Sequence, residues 1–450
     1  MSFDSPIFLL VLLASSIVIR LPAGAAGWAL LGICGFFYWF AGLFDFSLFV
    51  AIIIANWFAA TLVQRSRAVF WLAIAGNLAV LVFFKYREML LPDVVSGGFQ
   101  RIAIPLGISF YLFHIFAYLA DLRTGRTRLV RLPKFALFVS FFPHLIAGPI
   151  VRANQLMPQL ERLWSGPIAR RHLAFFGLAL CLMGLTKKIV FSNSLAPVVD
   201  VLFYAVPADV LTAWAGAWLF GFQIYFDFSG YTDIALGSAM LIGFRLPTNF
   251  HTPYLAMNPR EFWQRWHITL SQWIRDYLYI PLGGSREGSA AWQATVLVGV
   301  MALAGLWHGA NWTFVAWGTL WGIYILVWRW LAPVLEHVPR VVQWAINIAV
   351  VMVLWVFFRS PDIGFALRYI GRMFDFGGAI APDRAIFAAA LGCASLMALH
   401  WLESLTQSQA AVLRLRRAIN PLTVGIMAGL CILLLLLPNY DINPFIYFRF

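Results

Sequence analysis

The chain has 450 residues, of which 62% are hydrophobic and 11% are charged, and it contains 41 phenylalanines and 20 tryptophans. Soluble globular proteins carry about 25% charged residues, so this composition excludes an ordinary soluble protein. The net charge of +13 is typical of basic loops beside anionic lipid headgroups, and we expect no nucleic-acid partner because no recognition motif accompanies the charge.

Apolar stretches recur along the whole chain, and many are long enough to cross a bilayer as a helix. Strand-like alternation is absent, so helices are the remaining way to satisfy the backbone in lipid. We therefore predict an all-α polytopic membrane protein with about 10–13 spans, folded as a single integral domain over residues 1–450. The candidate spans are residues 6–19, 29–44, 46–63, 68–84, 102–120, 173–191, 210–226, 229–244, 289–307, 312–331, 342–358, 385–401 and 422–438.

The distribution of basic residues in the loops predicts an orientation for the first half of the chain. Arg20, Arg65, Arg67 and the cluster Arg123–Lys134 lie in alternate loops. Because basic residues gather in cytoplasmic loops, this pattern places the N-terminus outside.

One region, FFPHLIAGPIVR (Phe141–Arg152), differs from an ordinary span. It holds about ten apolar residues, too few to cross a bilayer, and it is interrupted by Pro143, Gly148 and Pro149. We predict a re-entrant or interfacial piece.

A second unusual region runs from Asn249 to Arg286 and is rich in aromatic and charged residues. The residues from about Pro259 to Tyr279 show helical periodicity, which predicts a helix with a polar stripe on one face. His267 therefore is predicted to lie on an amphipathic helix, with its polar face turned to water or a cavity. The stripe contains Arg260, Gln264, His267, Ser271 and Arg275.

The stretch GLWHGANWTF places His308 in the middle of a run, Gly288 to Trp328, that contains no Asp, Glu, Lys or Arg. Ionisable side chains within a membrane usually face the bundle interior or a wet cavity, because contact with lipid is costly. A neutral imidazole in such a site is a competent general base. An interfacial histidine in a turn between two spans, beside an aromatic belt, is the alternative.

The residues around His308 bear on this choice. Gly305 and Gly309 allow a close approach of two backbones or a break in the helix, while Trp307 and Trp312 can wall a pocket. Local sequence alone leaves the catalytic and the interfacial interpretation open.

The segment GFQIYFDFSGYTDIALG (Gly221–Gly237) contains two carboxylates, Asp227 and Asp233, in an apolar region. Burying a carboxylate near the bilayer centre costs about 2.5–3.5 kcal/mol, so a partner or water must compensate. The structural alternative is an ion pair with arginine, or a helix break at Ser229–Gly230 that puts Asp233 near a new helix N-terminus.

Signatures of soluble enzymes are absent from the sequence: it contains no GxSxG, Walker or HExxH motif. Histidine, cysteine and acidic residues also lack metal-ligand spacing, so we expect no metal site. The remaining isolated histidines are predicted to be structural: His114, His144, His251, His337 and His400.

Longer motifs resemble those of a known family. WHGANWTFVAWGTLWG (Trp307–Gly322) resembles the signature of the membrane-bound O-acyltransferase family. QIYFDFSGYTDIALGSAMLIGFRLPTNFHTPY and EFWQRWHITLSQWIRDYLYIPLGGSR resemble its bacterial branch, and FFPHLIAGPIVR and the terminal NPFIYFRF fit the same branch. The resemblance covers at least Pro105–Gly322, the motif-bearing core, plus the C-terminus.

This resemblance implies a ring of tilted helices around a central tunnel, with re-entrant or interfacial helices. It implies that His308 corresponds to the essential histidine of the family and His267 to its second motif histidine, which favours catalysis by His308. His267 is the second candidate catalytic residue, and its role as a base, a ligand contact or a structural anchor stays open. His308 would then remove the proton of an acceptor hydroxyl. The expected substrate-binding residues are Trp307, Asn311, Asp227, Tyr225, Ser229, Asn249 and Tyr254.

The function implied by the resemblance is O-acetylation of an exported polysaccharide such as alginate or cellulose. A cytoplasmic thioester such as acetyl-CoA is the expected co-substrate, with no bound cofactor, and a periplasmic SGNH-type acetyltransferase or a polysaccharide-synthesis complex is the expected partner. The inner membrane is the expected location.

Two other functions remain open on the sequence. D-alanyl transfer to teichoic acid belongs to the same family, but 28 arginines against 4 lysines indicate a GC-rich genome, which favours sugar O-acetylation. A proton-coupled transporter would be expected to show inverted repeats with paired broken helices, and the sequence shows neither.

Overall fold

A computed structural model of the protein describes residues 6–90, 104–145, 148–166, 171–284, 288–377, 391–398, 400–401 and 421–436. Within these residues the regular secondary structure is helical throughout, which confirms the predicted all-α class. The chain divides into two compact units. The first takes the described residues of Met1–Leu185, Tyr231–Thr248 and Pro421–Pro438, and the second those of Thr186–Gly230, Asn249–Asn420 and Asn439–Phe450.

The helices are numbered in chain order. They are α1 (Pro6–Val18), α2 (Ala25–Trp39), α3 (Leu43–Val63), α4 (Arg67–Leu81), α5 (Arg87–Leu90), α6 (Ile108–Arg123), α7 (Leu132–Ser140), α8 (Phe142–Leu145), α9 (Ala153–Ser165), α10 (Arg171–Leu185), α11 (Asn193–Leu202), α12 (Val210–Leu241), α13 (Pro259–Arg265), α14 (Ile268–Ile274), α15 (Ala290–His308), α16 (Trp312–Leu335), α17 (Arg340–Arg359), α18 (Ile363–Met373) and α19 (Pro421–Leu436). Single π-helical turns follow α4, α10 and α14, at Val82–Tyr86, Thr186–Ser192 and Arg275–Tyr279.

Six helices of the described part are long and apolar enough to cross a membrane, and three shorter ones are also apolar. Their positions coincide with predicted spans, and a multi-pass membrane protein is thereby confirmed. Residues 385–390 and 399 of the predicted span at 385–401, and the terminal NPFIYFRF, lie outside the described residues. The six helices long and apolar enough to cross a membrane are Leu43–Val63, Arg67–Tyr86, Leu173–Leu202, Ala290–His308, Trp312–Leu335 and Arg340–Arg359.

The region predicted as two spans, 210–226 and 229–244, is one helix. Helix α12 runs unbroken over 32 residues, about 48 Å at 1.5 Å per residue. A single glycine in a helix costs only about 1 kcal/mol, so Ser229–Gly230 does not interrupt it. The predicted break was wrong, and Asp233 lies inside the helix.

The amphipathic helix predicted over 259–279 is interrupted. Helix α13 ends at Arg265, α14 begins at Ile268, and His267 lies between them in a left-handed conformation with φ of 42°. The side chain of His267 is fully buried, while Arg260 and Arg275 on the predicted stripe are exposed. The prediction that His267 shares a continuous helical face with these arginines was wrong.

The segment Asn249–His251 explains why the chain can break there. The backbone N–H of Ile268 donates to the Asn249 carbonyl (2.9 Å), and the N–H of His251 donates to the Arg265 carbonyl (2.9 Å). Buried backbone groups need hydrogen-bond partners, and this segment supplies them at the interruption, which fixes the position of His267.

The region predicted as re-entrant, Phe141–Arg152, contains the four-residue helix α8 and an irregular stretch at 148–152. In this first unit, the N–H of Val151 donates to Nε2 of His114 (3.1 Å). The rings of His114 and His144 stack with centroids 4.1 Å apart, and both are fully buried. The two histidines thus pack against this short segment.

Helices α15 and α16 touch through their glycines. A Cβ at Gly305 would lie 2.0 Å from the Phe314 carbonyl oxygen, and one at Gly318 would lie 2.1 Å from that of Met301. The close approach predicted for Gly305 is confirmed. It holds His308, the last residue of α15, directly beside α16.

Candidate functional site

His308 is enclosed by aromatic rings from three helices. Its ring centroid lies 4.9 Å from Trp307 of α15, 5.1 Å from Trp317 of α16 and 5.2 Å from Phe358 of α17. The residue is only 4% exposed. It therefore lies at a turn between two helices, as the interfacial alternative expected, and is nevertheless buried.

The second motif histidine, His267, packs against the same tryptophan. Its ring is 6.2 Å from Trp307, 4.7 Å from Phe228 and 6.4 Å from Phe250. The rings of His267 and His308 thus both pack near the ring of Trp307, although the two histidines are 41 positions apart in the chain.

The side chain of Asn249 is hydrogen-bonded to the ring of His267. Its Oδ1 lies 3.1 Å from Nδ1 of His267, and it also accepts hydrogen bonds from the backbone N–H (3.2 Å) and hydroxyl (2.9 Å) of Thr269. Nδ2 of Asn249 and Nε2 of His267 are buried and have no hydrogen-bond partner within the described residues. Leaving a buried polar atom unpaired costs about 1–3 kcal/mol, so each of these two atoms calls for an explanation, such as a bound water or a catalytic role.

Asp227 forms a buried ion pair with Lys188, and the Ser192 hydroxyl donates to the same carboxylate oxygen (3.2 Å). The carboxylate thus has the partner that its burial requires, but the partner is a lysine rather than the expected arginine. Lys188 belongs to the π-helical turn Thr186–Ser192. The adjacent lysines 187 and 188 within an apolar run were the signal that sequence reasoning missed.

Tyr225 and Tyr254 belong to an aromatic cluster next to the histidine site. The Tyr225 ring lies 4.6 Å from His400 and 6.1 Å from Phe250, and the Tyr254 hydroxyl donates to the Gly221 carbonyl. Their placement supports the packing around Phe250, which in turn contacts His267.

Ser229 and Asn311 differ in what their side chains do. The Ser229 hydroxyl is buried without a hydrogen-bond partner in the described part of the chain. Asn311 caps α16: its Oδ1 accepts from the Thr313 N–H (3.0 Å) and its Nδ2 donates to the Pro361 carbonyl (2.8 Å). Both polar ends of Asn311 therefore hold the turn after His308. Trp312 is 62% exposed and is not among the residues that line the cleft beside His308.

A cleft of about 620 Å³ in the second unit leads to His308. Much of its wall is apolar, and Ser271, Gln264 and Gln272 add polar groups. Since His308 is 4% exposed and still lines the cleft, it lies at the deep end. Apolar lining residues include Leu270, Leu297, Val300, Met301, Ala304 and Ile325.

Three exposed arginines line the same cleft: Arg260, Arg275 and Arg329. Arg275 pairs with Asp276 (2.7 Å), whereas Arg260 and Arg329 form no ion pair among the residues that the structure describes. No carboxylate lines the cleft within those residues. A cleft with charges of one sign attracts the opposite charge, so it favours an anionic ligand. Sequence reasoning missed Arg329, whose signal is its isolation in the apolar helix α16.

Comparisons with known proteins agree with the motif resemblance. Residues 33–360 match the membrane-bound O-acyltransferase family. The chain is 39% identical, over 74% of its length and 69% of the relative, to a probable alginate O-acetylase of Azotobacter vinelandii. It is 34% identical, over 76% of its length and 72% of the relative, to a peptidoglycan O-acetyltransferase of Helicobacter pylori.

A more distant relative is a teichoic acid D-alanyltransferase of Streptococcus thermophilus, 26% identical over 51% of this chain and 58% of the relative. The chain spans about two thirds of the length of several other probable alginate O-acetylases that it matches. The family match covers most of the chain and includes His267 and His308, so this multi-pass protein belongs to the membrane-bound O-acyltransferase family.

Proposed function

We propose that the protein is an inner-membrane O-acetyltransferase that takes an acetyl group from a cytoplasmic thioester, passes it through a membrane tunnel and serves the O-acetylation of an exported polysaccharide. The observation that carries this proposal is a buried histidine, His308, at the deep end of an arginine-lined cleft, with a second buried histidine, His267, packed near the same Trp307 ring.

The cleft suits a phosphate-bearing thioester such as acetyl-CoA. Its volume of about 620 Å³ lies within the usual range for small-molecule sites. Arg260 and Arg329 offer guanidinium groups to phosphates, which they bind in bidentate fashion. The apolar wall beyond them accommodates the uncharged arm of the donor, so that the thioester carbonyl reaches His308.

His308 acts as the general base. An acceptor hydroxyl attacks the thioester carbonyl carbon while the imidazole takes its proton. The tetrahedral intermediate then collapses, the C–S bond breaks, and the departing thiolate takes the proton from the imidazolium, so the ring ends neutral as it began. A positioned base contributes about 10²–10⁴-fold, and the rest comes from holding both reactants in line in a dry site.

The oxyanion that develops during attack needs a hydrogen-bond donor. Nε1 of Trp317 is buried beside His308 and has no hydrogen-bond partner within the described residues, whereas both polar ends of Asn311 are already bonded. We assign the donor role to Trp317. Trp317→Phe keeps a ring and removes the N–H, and kcat should fall about 10²-fold. Trp321→Phe is the matched control, since Trp321 is also buried with an unpaired Nε1. Equal activity losses in both variants would contradict the assignment.

The acceptor is a polysaccharide hydroxyl, or the hydroxyl of a periplasmic SGNH-type partner that completes the transfer. Acetyl rather than D-alanyl transfer is supported by the higher identity to the probable alginate O-acetylase than to the D-alanyltransferase, 39% against 26%. The acceptor class proposed is therefore an exported sugar polymer such as alginate or acetylated cellulose.

The test replaces His308 by alanine in the producing strain. His337→Ala is the matched control, because His337 is an exposed histidine of the same unit. Ester-linked acetyl in extracellular polymer is measured by mass spectrometry, and protein in the membrane by immunoblotting. We expect acetylation to fall at least about 10²-fold for His308→Ala and to remain for His337→Ala. Unchanged acetylation in a His308→Ala strain with normal protein levels would refute the proposal.

A further inference from the structure

The orientation of the Asn249 side-chain amide follows from its partners. The backbone N–H of Thr269 can only donate, and it points at one amide atom of Asn249 from 3.2 Å. That atom must therefore be the oxygen, since the amide nitrogen offers no lone pair to an N–H donor. The Thr269 hydroxyl, 2.9 Å from the same atom, agrees with this assignment.

The same oxygen faces His267. Nδ1 of His267 lies 3.1 Å from Asn249 Oδ1, and an amide oxygen can only accept. Nδ1 must then carry a hydrogen. In a neutral imidazole one ring nitrogen is a donor and the other an acceptor, so Nε2 of His267 carries a bare lone pair.

The surroundings keep this lone pair available. Nε2 is buried and has no hydrogen-bond partner within the described residues, and the ring is surrounded by Phe228, Phe250 and Trp307. No charged side chain of the described part makes a hydrogen bond or ion pair with His267. The left-handed backbone at His267, with φ of 42°, costs about 1–3 kcal/mol, and such strain clusters at functional sites.

We infer that Asn249 is a positioning residue: it holds His267 in the Nδ1–H form, so that Nε2 accepts a hydrogen bond from an O–H or N–H group of the bound substrate. The inference rests on the proposed function. One hydroxyl has one hydrogen, and His308 takes it during attack. The group that donates to His267 is therefore a second O–H or N–H group of the bound reactants, and His267 orients the reactant that carries it rather than removing the reacting proton.

A direct test observes the tautomer without altering residue 249. The full-length protein, labelled with ¹⁵N-histidine and placed in lipid nanodiscs, is studied by solid-state NMR, and the ring signals lost in His267→Gln are those of His267. We expect a protonated Nδ1 and an unprotonated Nε2. A ring protonated at Nε2 would overturn the inference.

Kinetics of the purified protein with acetyl-CoA provide a second test. Asn249→Leu removes the acceptor for Nδ1–H, and kcat should fall about tenfold or more. Asn249→Asp retains that acceptor and should remain active. A carboxylate beside His267 favours the imidazolium form of its ring. On acidification the variant should therefore begin to lose activity at a pH about one unit or more above that of the wild type. Thr269→Val, the matched control, removes a neighbouring hydroxyl and should keep the wild-type pH profile.

Two results separate the failure of this inference from that of the proposed function. Wild-type kcat and pH profile in Asn249→Leu, with His308→Ala inactive, would overturn the role of Asn249 alone. Full activity of His308→Ala would refute the proposed function itself.

Discussion

The contact between α15 and α16 makes Gly305 the most sensitive position near the site. In Gly305→Ala the new Cβ would lie 2.0 Å from the backbone oxygen of Phe314 and 3.1 Å from Cα of Gly318. A carbon–oxygen contact normally requires about 3.3 Å, so the helices must separate by about 1.3 Å. Because the obstacle is backbone, no side-chain rotation relieves it.

The expected magnitude follows from this displacement. Overpacking costs about 1–3 kcal/mol, partly offset by the roughly 1 kcal/mol that alanine gains over glycine in a helix. His308 is three residues from Gly305, and Trp317 precedes Gly318, so the movement separates the proposed base from the proposed oxyanion donor. A misplacement of about 1 Å can cost about 10²-fold in rate. We therefore expect a large loss of kcat with a small loss of stability.

The assay measures thiol release from acetyl-CoA and thermal unfolding of the purified protein. Gly299→Ala is the matched control: it lies on the same helix, and no atom lies within 4 Å of its new Cβ. It should keep wild-type activity and equal or higher thermal stability. Wild-type kcat in Gly305→Ala would show that the tight helix contact does not position the site.

Two further predictions concern charges. Lys188→Met leaves the Asp227 carboxylate buried without its ion pair and should lower the free energy of unfolding by about 3–5 kcal/mol. The double variant, Lys188→Met with Asp227→Leu, should recover much of that loss. Equal stability of the single and double variants in thermal unfolding would contradict this prediction. Replacing Arg260 and Arg329 together by alanine should raise the KM for acetyl-CoA about tenfold and make this KM less dependent on ionic strength. The control is Arg368→Ala, which replaces another exposed arginine. An unchanged KM in the double variant would exclude the cleft as the donor site.

The buried ion pair and the His267 tautomer illustrate the limits of sequence reasoning at the site. A carboxylate in an apolar region indicates that a partner must exist, but Lys188 lies 39 positions away from Asp227 and no local pattern selects it. Likewise, the motif histidine is evident in the sequence, but the nitrogen that carries its proton depends on Asn249, 18 positions earlier.

The two errors on helix boundaries have a common origin. Glycine in Ser229–Gly230 predicts a break because glycine weakens a helix, yet the cost of about 1 kcal/mol is small against the packing of a 32-residue helix. At His267 the reverse occurs: local periodicity predicts a continuous helix, and a break forms because the backbone of Asn249 and His251 supplies replacement hydrogen bonds.

Hydropathy alone determined that this protein is helical and crosses the membrane several times, because lipid offers no partner for an unpaired backbone group. The isolated His308 in a charge-free run marked a candidate site, but the catalytic interpretation was favoured only by the resemblance of longer motifs to a known family. Only the tertiary structure decided which groups meet: His267 near Trp307, the neighbour of His308, Asn249 on His267, Lys188 on Asp227 and three arginines around one cleft. Burial and periodicity are properties of a segment, whereas a hydrogen bond or ion pair between distant residues depends on how the segments pack.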